Sequence, residues 1–167
     1  AVDAKVDHLF RHGDVTPENV KDLVYGALFT RGPADLHRTA LFVSGSNVAR
    51  AEAVLETIRK TFFGPFRVSV LLDANGANTT AAAAVLSAQK GMGGSLKDVN
   101  AAVLAATGPV GQRVARLLGR LGAKVAVGSR DENRAGKLTD QLREAVGTAF
   151  VPFSNADPNS LQTTLEQ

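Results

Sequence analysis

Two clusters in this 167-residue chain combine residue types and spacings able to do chemistry. The first is Ala106-Thr107-Gly108-Pro109-Val110-Gly111, where an apolar run turns sharply into a helical pattern. A diphosphate can approach the backbone only where side chains are absent, and a new helix offers it unpaired N–H groups and a positive dipole end. Gly108 permits that approach, and Gly111 permits the helix to pack close to the strand. Against the full G-x-G-x-x-G fingerprint the first glycine is replaced by Ala106, which alters the tight turn. A strand–helix turn whose glycines serve packing alone is the competing reading.

The next extended run ends in Gly128-Ser129-Arg130, where NAD sites place Asp or Glu against the ribose 2′-hydroxyl. A hydroxyl and a guanidinium suit a 2′-phosphate instead, because arginine offers a planar fork of donors with a fixed charge. NADP is therefore favoured over NAD, with Asp131 the one nearby carboxylate that speaks for NAD. Thr107, Gly108, Pro109, Val110, Gly111, Ser129 and Arg130 are the candidate cofactor-binding residues. Arg134 and Lys137 read as a solvated helix face.

The second cluster is D-x-N-G-x-N-T-T, from Asp73 to Thr80, a strand-ending carboxylate followed by a polar turn at a helix start. A carboxylate at the mouth of a sheet can favour a developing positive charge or accept a hydrogen bond from a ligand. Asp before a Gly/Asn turn is also ordinary turn chemistry, and Asn78 or Thr79 can serve as the N-cap of the alanine-rich helix that follows.

The elements that must position these clusters alternate between helical and extended from about residue 14, which argues for an α/β fold with a largely parallel sheet. Thr16 as N-cap and Pro17 at the first helical position start a helix whose stripe is Val20, Leu23, Val24, Ala27 and Leu28. TALFVSG (residues 39–45) reads as a strand buried on both faces. A helix from Asn47, with Val48, Ala51, Val54, Leu55, Ile58 and Phe62 apolar, is stopped by Gly64-Pro65. A second strand covers 67–73, and the alanine-rich helix closes a first domain, 1–98. The remainder, 99–167, orders β-α-β-α-β as in a mononucleotide-binding half, and a further helix starts at Asp157-Pro158.

Composition bounds the function. With 44% hydrophobic and 21% charged residues the chain can bury a core, which excludes disorder. No apolar run reaches the roughly 18 residues of a spanning helix and no secretory signal opens the chain, so it reads as soluble and cytoplasmic. The absence of cysteine excludes disulfides, thiolate metal sites and cysteine nucleophiles, so redox chemistry needs a borrowed cofactor. A net charge of +3 without a basic patch interleaved with aromatics is no nucleic-acid footprint. His8 and His12 have a spacing that can bind zinc from one helix face, but a third ligand and the glutamate of H-E-x-x-H are missing. His37, Arg31 and Arg38 read as solvated loop residues.

The run FFGPFRVSVLLDANGANTTAAAAV (residues 62–85) resembles the NADP-dependent methylene-tetrahydromethanopterin dehydrogenases of methylotrophic bacteria. HGDVTPENV, LFTRG, and LAATGPVG followed by GSR agree with it, from about His8 to Arg130. The resemblance implies an amino-terminal α/β substrate domain and the first half of a Rossmann-type parallel sheet, with the pterin in the cleft between them. It implies a chain truncated at both ends; the unpaired edge of such an incomplete sheet predicts association or poor solubility, with a homo-oligomer the expected assembly. It also implies hydride transfer from the methylene carbon to the nicotinamide, leaving a methenyl cation and needing no base. Asp73 is then the candidate catalytic residue, and Asp73, Asn75, Asn78 and Thr79 the candidate substrate contacts. Two rivals stay open: a related two-domain oxidoreductase acting on methylene-tetrahydrofolate or a shikimate-like acid, and a non-catalytic nucleotide-binding module.

Overall fold

The computed structural model describes residues 6–156, 159, 162, 163 and 166; Asp157 and Pro158, the expected start of a last helix, lie outside the described residues. The chain divides into two compact units, Ala1–Asn75 and Gly76–Gln167.

In the first unit, α1 (Val20–Leu28), β1 (Ala40–Val43), α2 (Val48–Thr61) and β2 (Ser69–Leu72) follow in order, with a 3-10 turn over Pro33–Arg38. The regular helix starts at Val20, later than expected, with Asn19 rather than Thr16 at its N-cap and no side chain capping it. Thr16 instead holds the turn ahead of the helix: its Oγ1 accepts from the Glu18 N–H (3.2 Å), and Asn19 Oδ1 accepts from the Thr16 N–H (2.7 Å). α2 starts at Val48, close to the expected Asn47, which caps it with its side chain accepting from the Arg50 N–H at 3.0 Å. Val20, Val24, Leu28, Leu36, Val54, Ile58 and Val68 form the core.

β1 and β2 pair in parallel, with Phe42 opposite Leu71. The expectation of a strand buried on both faces does not hold. Burial alternates along both strands, and Phe42 and Leu71 are 64% and 59% exposed. An apolar run with no polar alternation cannot tell a two-faced strand from one covered on a single face. His8 and His12 lie in a segment without helix, so no helix face brings them together. Among the described residues no group of His, Asp and Glu could hold a metal ion.

The second unit contains α3 (Ala77–Gly91), β3 (Asn100–Val103), α4 (Pro109–Arg120), β4 (Lys124–Ser129), α5 (Glu132–Val146) and β5 (Phe150–Ser154). Its parallel sheet has the order β3-β4-β5, that of a mononucleotide-binding half. The central strand β4 buries Val125, Val127, Gly128 and Ser129, and the core adds Phe150, Leu118, Leu138 and Leu142. The contact boundary falls before α3 rather than near residue 98, because α3 packs on α4 and sends Val85 into the second core. No helix among the described residues is long and apolar enough to cross a membrane.

Two glycines mark the closest packing. A Cβ on Gly119 would stand 2.5 Å from the Phe150 ring, and one on Gly128 would stand 2.6 Å from the Phe153 ring and 3.0 Å from the Val103 carbonyl oxygen. Gly136, inside α5, has nothing within 4 Å of the same position. Gly119→Ala is therefore expected to lower stability by about 1–3 kcal/mol through overpacking. Gly136→Ala is expected to raise it by about 0.5–1 kcal/mol through helix propensity. Urea midpoints at unchanged slope check both.

Candidate functional site

In the second unit β3 ends at Val103 and the chain turns through Leu104–Thr107 into α4. Ala105 sits at φ 51°, a left-handed conformation that costs an alanine about 1–2 kcal/mol. The replacement of the fingerprint's first glycine is thus felt one residue earlier, while Ala106 itself is fully buried and donates its N–H to the Gly128 carbonyl at 2.8 Å. Gly111 is the tightest position of this turn. A Cβ there would stand 2.6 Å from the Ala105 carbonyl oxygen and 2.7 Å from the Ala106 Cα. Only glycine lets α4 begin directly against the strand.

Gly108 behaves differently. It is the N-cap of α4, at φ −79°, and a Cβ there would meet only the Ala105 carbonyl oxygen, at 3.4 Å. The fold tolerates a methyl at this position; a ligand lying against the backbone would not. The first bond of α4 runs from the Gln112 N–H to the Gly108 carbonyl (3.0 Å), and Pro109 has no N–H to offer. The N–H groups of Val110 and Gly111 therefore stand ahead of the helical ladder, at its positive end. The residues present fit the diphosphate of a dinucleotide.

The structure brings Thr107 and Ser129 together, their hydroxyl oxygens 3.5 Å apart. Ser129 is only 4% exposed, and its Oγ accepts from the Asp131 N–H at 3.2 Å. Its neighbour Arg130 is exposed. The Asp131 carboxylate caps α5, accepting from the Arg134 N–H at 3.3 Å. At the tip of β4 both Arg130 and Asp131 are exposed, and one Asp131 carboxylate oxygen is engaged with the start of its helix.

Asp73 and Asn75 fall in the first unit, just past β2; Asn78 and Thr79 fall in the second, in the first turn of α3. The Asp73 N–H donates to the Val43 carbonyl (3.0 Å) and the Asn75 N–H to that of Gly45 (2.7 Å), so the turn extends the β1–β2 ladder. Asn75 and Gly76 are both left-handed, at φ 52° and 64°. That is why the pair is Asn-Gly, the residue types that best accept this conformation. The expected cap at Asn78 or Thr79 is not formed: α3 starts earlier, with Gly76 as N-cap, because the left-handed pair lets the helix begin at Ala77. Thr79 Oγ1 instead donates to the Gly76 carbonyl at 3.3 Å.

Two residues were missed by sequence reasoning. Gln112 Nε2 donates to the Thr107 carbonyl (2.9 Å) and steadies the turn. Arg113 Nε donates to Asn78 Oδ1 (2.5 Å) and its Nη1 to the Pro109 carbonyl (2.7 Å). The only sequence signal for Arg113 was its place one helical turn after Pro109.

The second unit is thus a three-stranded parallel β-α-β-α-β sheet with a glycine turn at the start of α4. Residues 1–75, the extent of the first unit, match the family model for the methylene-tetrahydromethanopterin dehydrogenase N-terminal domain. The bifunctional protein MdtA of Methylorubrum extorquens is 44% identical over 158 residues, 95% of this chain and 55% of the relative. The NAD(P)-dependent methylenetetrahydromethanopterin dehydrogenase of the same organism is 30% identical over 153 residues, 88% of this chain and 51% of that one. The chain spans about half the length of these curated relatives. Among solved structures, a dipicolinate synthase polypeptide of Bacillus halodurans overlaps 61% of this chain and 33% of its own, at 23% identity and a TM-score of 0.38.

Asn75→Gly is expected to leave thermal stability nearly unchanged, whereas Asn75→Val, β-branched at φ 52°, is expected to lose about 1–2 kcal/mol. Thermal unfolding of the two variants against the parent checks this.

Proposed function

We propose that this chain carries the pterin-binding domain and the NADP-binding half-sheet of an enzyme that transfers a hydride from methylene-tetrahydromethanopterin to NADP, a step of formaldehyde oxidation in one-carbon metabolism. The observation that carries the reading is the turn at residues 105–111: backbone donors at the start of α4, no side chain at Gly108, and the tip of β4 alongside through the Ala106–Gly128 hydrogen bond. The 30%-identical relative, named for NAD(P)-dependent dehydrogenation of the same pterin, supports both substrate and cofactor.

NADP, when bound, supplies the nicotinamide ring that accepts the hydride. The Val110 and Gly111 N–H groups hold the diphosphate, Gly108 leaves room for it, and Arg130 pairs with the 2′-phosphate. Ser129, with Thr107, shapes the turn from beneath. The hydride leaves the methylene carbon with its electron pair and the product is a methenyl cation, so no proton has to be taken up. Asp73 then favours the developing positive charge or fixes the pterin ring, and Asn75, Asn78 and Thr79 contact the pterin. The protein's share is placement of donor carbon and acceptor ring rather than a strong base. The working form in this reading is a cytoplasmic homo-oligomer.

Calorimetric titration with NADP and NAD tests the cofactor assignment. Arg130→Ala is expected to weaken NADP by about tenfold or more, the scale of a charge-assisted hydrogen bond, and to spare NAD. Gly108→Ala is expected to weaken both nucleotides while leaving the unfolding temperature in place, since the methyl fits the fold. Equal affinity of the parent for NADP and NAD would sink the 2′-phosphate assignment, and unchanged binding by Gly108→Ala would sink the site.

A further inference from the structure

The two signatures that sequence keeps apart, Asn78 of the D-x-N-G-x-N-T-T run and the glycine turn ahead of α4, meet within the second unit through one guanidinium. Arg113 holds Asn78 Oδ1 with Nε at 2.5 Å and the Pro109 carbonyl with Nη1 at 2.7 Å. Asn78 is the second residue of α3 and Pro109 the first of α4, so the clasp joins the starts of two packed helices. Arginine suits this place because its donors form a rigid fork that stays charged, so two acceptors held at once keep a set spacing. Lysine is a point charge on a flexible stem and cannot fix both in the same way.

Hydride transfer is demanding in this respect. Reacting atoms must lie about 3–3.5 Å apart, and a misplacement of about 1 Å can cost about a hundredfold in rate. Resting on the functional reading above, we propose that Arg113 is a positioning residue that sets the pterin-contacting start of α3 against the nucleotide-binding start of α4. Nucleotide bound at α4 orders the Pro109 carbonyl, the guanidinium passes that order to Asn78, and the pterin is bound more tightly as a result. By linkage the pterin tightens the nucleotide by the same factor.

The test measures binding of methylene-tetrahydromethanopterin to the full chain with and without saturating NADPH, a donor paired with an already reduced cofactor that the proposed oxidation cannot turn over. In the parent, NADPH is expected to tighten pterin binding by a factor within the range of about 5–150 usual for coupled sites. In Arg113→Ala and in Arg113→Lys the factor falls towards one, while NADPH alone binds nearly as before. Asn78→Ala removes the acceptor and leaves the guanidinium, so it reads the same coupling should Arg113→Ala fail to fold. The double variant loses no more coupling than either single one, as expected of partners in one contact. A purely structural clasp would lower the unfolding temperature and leave the factor intact. That result, or a factor of one in the parent, overturns the inference. Failure of the parent to bind NADPH at all overturns the functional reading instead.

Discussion

The second unit depends on how closely α4 starts against the end of β3. Gly111 has no room for a Cβ beside the Ala105 carbonyl and the Ala106 Cα, and that missing carbon lets the helix begin where the strand stops. The helix start then lies beside the strand tips, within reach of a ligand there. Ala106 can bond Gly128, Thr107 comes beside Ser129, and the β4 tip is locked to the turn. Gly128 repeats the device one strand over, giving its space to the Phe153 ring, and Gly119 gives space to Phe150 at the other end of α4. Interiors are packed to crystal-like density, so these absent carbons are filled by rings and backbone rather than left as voids.

Of the non-glycine residues held left-handed among the described residues, Asp14, Asn75, Asp98 and Ala105, two stand next to candidate site residues. Ala105 is held left-handed next to the glycine turn, and Asn75 is held so two residues after Asp73. Such residues persist where surrounding contacts over-determine them, and they concentrate near binding sites. At Asn75 the residue type suits the conformation. At Ala105 it does not, and the cost is offset by the flanking bonds from Gly108 N–H to the Ala105 carbonyl and from Ala106 N–H to Gly128.

The order of helices and strands was legible because each announces itself locally. Asn47 and Asp131 cap their helices through their side chains, and Val20, Val24 and Leu28 recur at helical spacing on a buried stripe. The glycine turn was legible because its chemistry requires particular residue types at particular positions. What could not be seen depends on contacts between distant parts of the chain. Whether Phe42 faces a covering layer is decided by what packs on the sheet, not by the strand. The allegiance of α3 is decided by Val85 entering the second core, although the helix follows directly on the first unit in sequence. The Arg113–Asn78 clasp joins residues brought near only by helix packing, and no periodicity predicts a hydrogen bond between two polar side chains.

The sheets add their strands strictly in chain order, β1 beside β2, then β3, β4 and β5 side by side. During synthesis β2, β4 and β5 therefore each meet a neighbour that has already left the ribosome. None of the pairings has to wait for a partner not yet made. Each crossover also brings its own helix to cover the new strand, so apolar surface is buried as it is produced, in steps of one strand and one helix. A topology of this kind assembles by accretion from the amino terminus, and the tight contact of Gly111 against Ala105 and Ala106 is among the most local in sequence. The close approach of α4 to the end of β3 is thus available as soon as α4 forms, before β4 and β5 complete the sheet around it.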